Sequence, residues 1–266
     1  MTFKIFFLIF WLIPYVFCQN IHHPYSTSLS VDGSVFGTAA IVALTASSVD
    51  EKLTTLTIPE IQSLNKRNIN PIDRLTAGWY SKEQSTLSDL LVGGSILSPI
   101  LFVFDSKMRS DFKTISTMYL ETVIFATFMP SYGKGLVRRV RPYAYGLKAP
   151  LQEKQDNETL RSFYSGHATW AFATSVFFAT VYIDYHPDTE YRKIIWGGAI
   201  GLASAVSLLR VTSGAHFLSD IAIGAAVGTS IGYIIPYFHR TGNESMSIHP
   251  ILSPDYTGAF LRLRLQ

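Results

Sequence analysis

Six apolar stretches alternate with polar segments along the chain. They cover roughly residues 35–49, 90–104, 115–129, 168–183, 194–209 and 217–238. Their length and their glycine, alanine and leucine content favour helices over strands. Most of them are shorter than the ~20 residues that a full membrane span prefers. We therefore predict an all-α, multi-helix membrane bundle in which several helices are short.

Two of these stretches carry small residues at four-residue spacing. The small residues form two ridges, Gly224, Gly228 and Gly232 in one and Gly197, Gly201 and Ala205 in the other. In a membrane helix such a ridge lets a neighbouring backbone approach closely. In a soluble helix each glycine would cost roughly 1 kcal/mol relative to alanine. The ridges therefore favour helices that pack closely within a membrane.

Four regions follow from the distribution of apolar residues. They are residues 1–19, 20–89, 90–240 and 241–266. The first has an early charge and then an apolar run, which predicts a signal peptide or an uncleaved N-terminal anchor. The second is an N-terminal helical region, and the third is the core that holds the chemistry. The last has two strand-like runs around Ser253-Pro254-Asp255, which predicts a short hairpin-like tail.

Composition supports the membrane prediction. Hydrophobic residues make up 48% of the chain and charged residues 15%, whereas average globular proteins carry roughly 25% charged residues. The net charge is +3 and the basic residues are spread out. This excludes the dense basic patch of a nucleic-acid-binding protein. We expect a membrane partner and no nucleic acid, and the oligomeric state is left open.

Three islands of polar residues interrupt the apolar background. They are Lys134 with Arg141-Pro142, Ser162 to His167, and Arg210 with His216 and Asp220. One up-and-down pair of helices, at 168–183 and 194–209, separates the second island from the third. The long segment 131–165 and the segment 210–216 must therefore lie at the same membrane face.

The third island has the pattern of an activated histidine. His216 and Asp220 are four residues apart, so they would share one face of a helix. Asp220 could then accept a hydrogen bond from one ring nitrogen of His216 and leave the other nitrogen as a nucleophile or base. Arg210 lies just upstream, and charges at the edge of lipid are expensive and usually functional.

The second island opens an apolar helix. Ser165 is a candidate N-cap, and the backbone N–H groups at a helix start bind anions. Gly166 allows a ligand close to the backbone, and His167 is placed to protonate a leaving oxygen.

Lys134, Arg141 and Arg210 supply three cations that suit the oxygens of a phosphoryl group. Taken alone, Lys134 and Arg141 could equally be juxtamembrane charges. Arg138 and Arg139 fit no further position in such a site. For these two we favour simple positive charges near lipid head groups.

At these residues the chain resembles the type 2 phosphatidic acid phosphatase (PAP2) superfamily, which also includes the vanadium haloperoxidases. The family shows K-x6-RP, then PSGH, then SR-x5-H-x3-D. The matching residues are Lys134, Arg141 and Pro142, then Ser165, Gly166 and His167, then Arg210, His216 and Asp220. The resemblance covers roughly residues 70–240 and implies the helical bundle of that family.

The resemblance implies a phosphatase that needs no metal or other cofactor. His216 would attack phosphorus to form a phosphohistidine, and Asp220 would orient it. His167 would protonate the leaving group and then activate water. The residues that hold the phosphate would be Lys134, Arg141, Ser165, Gly166 and Arg210. The expected substrate is a lipid phosphate or diphosphate.

Two residues depart from the family pattern. Tyr164 stands where the family usually has proline, and Leu209 stands where it has serine. Proline would stiffen the turn into the helix, and the serine hydroxyl could bond phosphate. Because neither residue performs the chemical step, we expect activity to be retained in altered form.

Other functions stay open. An exported N-terminus and short helices also fit a broad-specificity exported acid phosphatase that acts on soluble phosphomonoesters. Haloperoxidase chemistry is less favoured, because the chain is compact and membrane-like. A non-enzymatic binding protein is disfavoured, because both His167 and His216 are present.

The family pattern places the active site at the periplasmic or extracytoplasmic face of a cell or inner membrane. An even number of crossings should then lie between an exported or cleaved N-terminal segment and Lys134. The stretches at 90–104 and 115–129 provide two. We therefore expect the 15-residue stretch at 35–49 to be an interfacial or re-entrant helix that does not span.

Overall fold

The computed structural model describes residues 23–50, 55–241, 246–252 and 257–263. The described residues form ten α-helices and one two-stranded sheet. The helices are α1 (Leu29–Asp50), α2 (Ile58–Ser63), α3 (Pro71–Arg74), α4 (Lys82–Leu97), α5 (Ser106–Ser110), α6 (Phe112–Val137), α7 (Leu151–Lys154), α8 (Gly166–Tyr185), α9 (Arg192–Thr212) and α10 (Leu218–His239). The predicted signal peptide or anchor at 1–19 lies outside the described residues.

Short 3-10 turns fill the connections between these helices. They cover Lys66–Asn68, Ser98–Phe104, Pro142–Tyr145 and Asn157–Leu160. The second of these continues α4 and lengthens it to the end of its apolar stretch. The last two lie in the long connection between α6 and α8, where the sequence places the candidate chemistry.

The six long helices form one bundle, with α8 packed against α6, α9 and α10. At one end of the bundle, Ser85 near the start of α4 contacts Arg210 near the end of α9. At the other end, the Tyr185 hydroxyl at the end of α8 donates to Asp111, which precedes α6. The long helices therefore alternate in direction. The first end carries the predicted site residues, and we call it the site end.

Within the described residues, four helices are long and apolar enough to cross a membrane. These candidate spans are Leu29–Ala46, Lys82–Phe104, Arg192–Thr212 and Leu218–His239. Large apolar side chains on their outer faces are exposed, for example Leu90, Phe104 and Ile194 at 69%, 80% and 70%. A hydrocarbon environment would cover such surfaces without cost. The prediction of an all-α membrane bundle is confirmed.

Helix α1 corrects the expectation for residues 35–49. It is continuous over 22 residues, and Leu29–Ala46 is long and apolar enough to cross a membrane. The expected shortness of this helix is therefore wrong, whereas its interfacial or re-entrant placement stays a prediction. The apolar run looked short because serines and threonines precede and interrupt it. In the helix, the hydroxyls of Ser34 and Thr38 donate to the carbonyl oxygens of Ser30 and Ser34 at 2.6 and 2.8 Å. These bonds satisfy the hydroxyls within the helix itself.

One of the two predicted small-residue ridges forms a close helix contact. A methyl group on Gly224 would lie 2.6 Å from the carbonyl oxygen of Ser165, and one on Gly228 would overlap the backbone of Thr169. The backbones of α10 and α8 therefore touch along this ridge. The second prediction is wrong for the described chain, because Gly197 and Gly201 have nothing within 4 Å of an added Cβ.

The tail forms the predicted hairpin. Strands β1 (Met246–Leu252) and β2 (Thr257–Leu263) are antiparallel, with Met246 opposite Leu263 and Leu252 opposite Thr257. The turn residues between them lie outside the described residues.

Candidate active site

The three polar islands meet at the site end of the bundle. Backbone hydrogen bonds tie the connecting segments together, from Tyr143 N to Gly214 O at 3.0 Å and from Ser165 N to Asp220 O at 3.2 Å. Gly214 has a positive φ of 76°, and an added Cβ there would overlap the Trp79 carbonyl group. Only glycine fits this turn. The expectation that segments 131–165 and 210–216 share one face is confirmed.

His216 lies between α9 and α10 and is 2% exposed. Its Nδ1 is 2.7 Å from the carbonyl oxygen of Ser162. A carbonyl oxygen can only accept, so Nδ1 carries the hydrogen. Nε2 is thereby left with its lone pair, as a nucleophile or base requires.

The predicted hydrogen bond between His216 and Asp220 is absent. Nδ1 of His216 is 4.0 Å from Oδ2 of Asp220. The helical four-residue rule does not apply, because α10 begins only at Leu218. Oδ2 of Asp220 instead accepts from the Ser162 hydroxyl at 2.5 Å and from the Phe217 N–H at 2.8 Å. Asp220 therefore reaches His216 through Ser162.

Arg139 corrects the expectation of a simple surface charge. Its guanidinium donates to Asp220 at 2.5 Å, to Asp73 at 2.6 Å and to the hydroxyl of Ser219 at 2.7 Å. It also lies over the Phe217 ring, 4.3 Å from the ring centroid. The neighbouring Arg138 is exposed, as expected. Arg139 thus joins the connection after α6 to the start of α10.

Asp73 in α3 was not predicted and is fully buried. Burial alone would raise its pKa, but hydrogen bonds from Arg139, Ser219 and Asn70 outweigh burial and lower the pKa to about 2. Asp73 is therefore ionised under all ordinary conditions. It holds the start of α10 through Ser219, whose N–H and hydroxyl donate to it at 3.0 and 2.6 Å.

His167 lies in the first turn of α8. The hydroxyl of Ser165 accepts from Ala168 N at 3.3 Å, which confirms the predicted N-cap. Nε2 of His167 is 2.7 Å from Oδ1 of Asp89 in α4. An added Cβ on Gly166 would lie 3.9 Å from Nζ of Lys134. Lys134 and His167 therefore flank the same helix start.

Arg210 is buried at the end of α9 and faces the same residues of α4. Its Nη1 donates to the hydroxyls of Ser85 and Ser88, both at 3.0 Å, and to Oδ1 of Asp89 at 3.3 Å. Nε of Arg210 is buried and has no hydrogen-bond partner within the described ranges. His167 and Arg210 thus contact the same carboxylate oxygen of Asp89, and Nε of Arg210 remains available to donate to a ligand.

Arg141 is held by the 3-10 turn at Asn157–Leu160. Its Nε and Nη2 donate to the backbone oxygen and the carboxylate of Glu158, both at 2.7 Å. Burial and the positive charges of Arg141 and Arg210 keep the pKa of His216 well below 6.5. His216 is therefore neutral at neutral pH, in the form that can attack an electrophile.

Tyr164, where the sequence departs from the family pattern, is 7% exposed. A Cβ added to Gly133 of α6 would lie 2.8 Å from the Tyr164 ring. The tyrosine therefore packs tightly against α6. Leu209, at the other departure, is half-buried on α9.

Sequence reasoning missed Asp89 and assigned no part to Ser162 or Glu158. Asp89 had a readable signal, because Ser85, Ser88 and Asp89 lie at spacings of three and four on one helix face. These polar residues reach the start of the apolar part of α4, and their common face indicates a polar neighbour, here Arg210. Glu158 and Ser162 act from irregular segments, where sequence spacing gives no such guide.

Comparison with known proteins agrees with the motifs. Residues 116–244 match the family model described as the PAP2 superfamily. This part of the chain therefore belongs to the PAP2 superfamily, and the match supports a phosphatase enzyme. No curated protein matches the chain. The chain is also similar to a solved structure described as the first transmembrane PAP2 type phosphatidylglycerolphosphate phosphatase from Bacillus subtilis. That likeness has 19% identity and a TM-score of 0.39, and covers 79% of this chain and 96% of the other.

Proposed function

We propose that the protein hydrolyses a phosphate ester or diphosphate of a lipid through a phosphohistidine intermediate, without a metal ion in the site. The observation that carries this proposal is the convergence of His167 and Arg210 on one oxygen of Asp89, at 2.7 and 3.3 Å. An oxygen of a bound phosphate could take the same two donors. The unpartnered Nε of Arg210, within the described part of the chain, is a further donor for it.

In the first step, Nε2 of His216 attacks phosphorus and the bond from phosphorus to the ester oxygen breaks. His167 gives a proton to that oxygen, so that an alcohol leaves and not an alkoxide. The product on the enzyme is a phosphohistidine. The fixed tautomer of His216 supports this assignment, because the Ser162 carbonyl holds the hydrogen on Nδ1.

In the second step, a water molecule attacks phosphorus and His167 accepts its proton. The bond from phosphorus to Nε2 breaks, which releases inorganic phosphate and restores His216. Asp220 is a positioning residue here, because it acts on His216 through Ser162. It also adds a negative charge that favours the positive ring of the phosphohistidine.

Lys134, Arg141 and Arg210 hold the phosphoryl oxygens, together with the backbone at Ser165 and Gly166. Charge builds up on these oxygens in the transition state, and fixed cations stabilise it without reorganising. The same cations repel a metal ion, which supports a metal-free mechanism. Arg141 pairs with Glu158 at 2.7 Å, so a phosphate group must compete with this carboxylate for the guanidinium.

A lipid substrate fits the surroundings of the site. Asp89 lies in the first half of one candidate membrane span, Lys82–Phe104, and Arg210 lies near the end of another, Arg192–Thr212. Next to Asp89, Leu90 is 69% exposed on the outer face of α4, and Leu87 is 47% exposed. A lipid could therefore place its phosphate in the site while its chains stay beside the helix.

The test is phosphate release by the purified chain in lipid nanodiscs, with EDTA present. The substrates are phosphatidate, phosphatidylglycerol phosphate, a polyprenyl diphosphate and soluble monoesters. We expect release from at least one lipid, a loss of about 10³-fold or more in His216→Ala and His167→Ala, and trapping of radiolabelled phosphate on the wild type. His186→Ala is the matched control, because His186 lies at the other end of the bundle.

Full activity in His216→Ala would refute the assigned nucleophile. Complete loss on brief exposure to EDTA would refute the metal-free step. Activity restricted to soluble monoesters would favour the exported acid phosphatase. Bromide oxidation by added hydrogen peroxide, dependent on added vanadate, would favour the haloperoxidase.

We propose further that the site end faces the periplasm or cell exterior. Because α1 runs towards the site end, residues 55–81 share that side, and Tyr25 pairs with Arg240 on the opposite side. The test is membrane-impermeant thiol labelling in a Cys18→Ser background. Leu147→Cys, at a fully exposed position, should label from outside and Thr241→Cys should not. The reverse pattern would overturn this orientation.

A further inference from the structure

A second cluster of polar side chains lies at the end of the bundle opposite the histidine site. Asp32 of α1, Glu121 of α6 and His239 of α10 each offer one ligand-type atom, and these three atoms lie within 4.8 Å of one another. Glu121 and His239 are 0% and 1% exposed. The proposed phosphatase reaction uses none of the three.

The spacing of the three atoms suits a metal ion. Nε2 of His239 is 3.2 Å from Oδ1 of Asp32 and 3.4 Å from Oε2 of Glu121. Two ligands on a tetrahedral zinc ion, with bonds of about 2.0–2.1 Å, lie about 3.3–3.4 Å apart. The observed separations therefore agree with two edges of such a tetrahedron.

His239 is held in the form that binds a metal. Its Nδ1 is 2.9 Å from the carbonyl oxygen of Ile235, one turn earlier in α10. This bond places the hydrogen on Nδ1 and leaves a lone pair on Nε2, towards the two carboxylates. Metal-binding histidines commonly donate their other ring N–H to a carbonyl or carboxylate in this way.

Glu121 supplies an independent observation. Both of its carboxylate oxygens are buried and accept no hydrogen bond from any residue in the described ranges. A buried carboxylate without a partner costs several kcal/mol. Two carboxylates facing the lone pair of a neutral imidazole would be worse still. A metal ion or added protons among these three atoms would remove that cost.

We propose that Asp32, Glu121 and His239 bind a divalent transition metal ion, with Zn²⁺ as the best match to one imidazole and two carboxylates. The ion would join α1, α6 and α10 and have a structural role. The side chain of Asp32 is 16% exposed, which gives the ion a way in. Mg²⁺ fits poorly, because it requires octahedral oxygen ligands and keeps several waters.

The competing occupant is a proton. An imidazolium at His239 would donate to Asp32, and a proton on the buried Glu121 carboxyl group would remove the second negative charge. In that case the cluster binds no metal, and this outcome overturns the proposal.

The test is zinc content of the tag-free, full-length chain in nanodiscs, stripped with chelator, loaded with Zn²⁺ or Mg²⁺ and desalted. We expect about one Zn²⁺ per chain and no Mg²⁺. Glu121→Gln and His239→Asn should lower Zn²⁺ affinity by more than the roughly 10- to 100-fold typical of losing an outer hydrogen-bond partner. Asp32→Asn is a milder variant at a partly exposed position.

Two controls separate this site from other histidines. His186 pairs with Asp105 at 3.0 Å, so His186→Asn should leave zinc content unchanged. His216→Ala should also retain zinc, which excludes binding at the phosphatase site. Absence of zinc uptake in the wild type, or equal uptake in Glu121→Gln and His239→Asn, would overturn the proposal. Because the readout is bound zinc, the result does not depend on phosphatase activity.

Discussion

Arg139 offers a sharp test of how the site is held together, because a neighbour of the same type provides the control. Its guanidinium bridges Asp73 and Asp220 at 2.6 and 2.5 Å, and both carboxylates are 0% exposed. Arg139→Ala would leave both buried charges without this counterion. Removing one partner of a buried ion pair typically costs about 3–5 kcal/mol.

The pKa of Asp73 gives a second measure of the magnitude. Burial opposes ionisation, yet hydrogen bonds from Arg139, Ser219 and Asn70 lower the pKa from 3.8 to about 2. At 1.36 kcal/mol per pKa unit, this lowering corresponds to about 2 kcal/mol. Arg139 accounts for only part of this stabilisation of ionised Asp73, but Arg139→Ala also removes the ion pair with Asp220. We therefore expect Arg139→Ala to lower the free energy of unfolding by about 3 kcal/mol at neutral pH.

The assay is reversible denaturation in detergent micelles, followed by tryptophan fluorescence. Arg138→Ala removes the same charge from an exposed neighbour, so we expect a change within about 0.5 kcal/mol. The stabilising effect of ionised Asp73 is fully present above pH 3.8 and is lost as the pH falls towards about 2. The difference between wild type and Arg139→Ala should therefore shrink below about pH 4. Equal stability of the two alanine variants would refute the reasoning.

Three further predictions concern the site and the residues that position it. Ser162→Ala keeps the backbone carbonyl that accepts from His216 but loses the hydroxyl that donates to Asp220. Phosphate-release assays should therefore show kcat lowered by about 10-fold with KM unchanged, and an unchanged kcat would contradict a role for Ser162 between Asp220 and His216. Gly228→Ala should lower the free energy of unfolding by about 1–3 kcal/mol, because the added methyl group meets the α8 backbone. Gly201→Ala should not destabilise the protein, and equal effects of the two substitutions would contradict the prediction. The pKa of His216 is held well below 6.5, so kcat/KM should show no decrease near pH 6.5 from protonation of this histidine. The free energy of unfolding should decrease below pH 6.5, because His216 takes up a proton in the unfolded chain but not in the folded one. Profiles of kcat/KM and of stability against pH check both statements.

Much of the bundle could be predicted from the sequence, because charged residues stand out in an apolar chain. Arg210 and His216 are conspicuous where ionised groups are expensive. The ridge at Gly228 was readable for a similar reason, since glycine is costly in a helix unless a neighbour requires it. The ridge at Gly201 has the same pattern without a close neighbour in the described chain. Spacing alone therefore predicts the capacity for contact and not the contact.

The difference between Arg138 and Arg139 could not be predicted, because it depends on one backbone turn. Arg138 has a positive φ of 49° and ends α6 in the left-handed conformation. This turn sends the next side chain inwards, towards Asp73 and Asp220. Identical side chains at adjacent positions thus take opposite environments, and no property of the two residues themselves distinguishes them.

The sequence predicted a direct hydrogen bond between His216 and Asp220, whereas the structure connects them through Ser162. The reason is the position at which α10 begins. His216 precedes α10, so Asp220 occupies the first turn of that helix and caps the N–H of Phe217. Its carboxylate also accepts hydrogen bonds from Ser162 and Arg139. The negative charge that should stabilise a phosphohistidine is thereby held by two residues of the connection between α6 and α8. Orientation of the nucleophile then depends on how the connection between α6 and α8 is folded, and the Ser162→Ala and Arg139→Ala variants examine the two arms of that dependence separately.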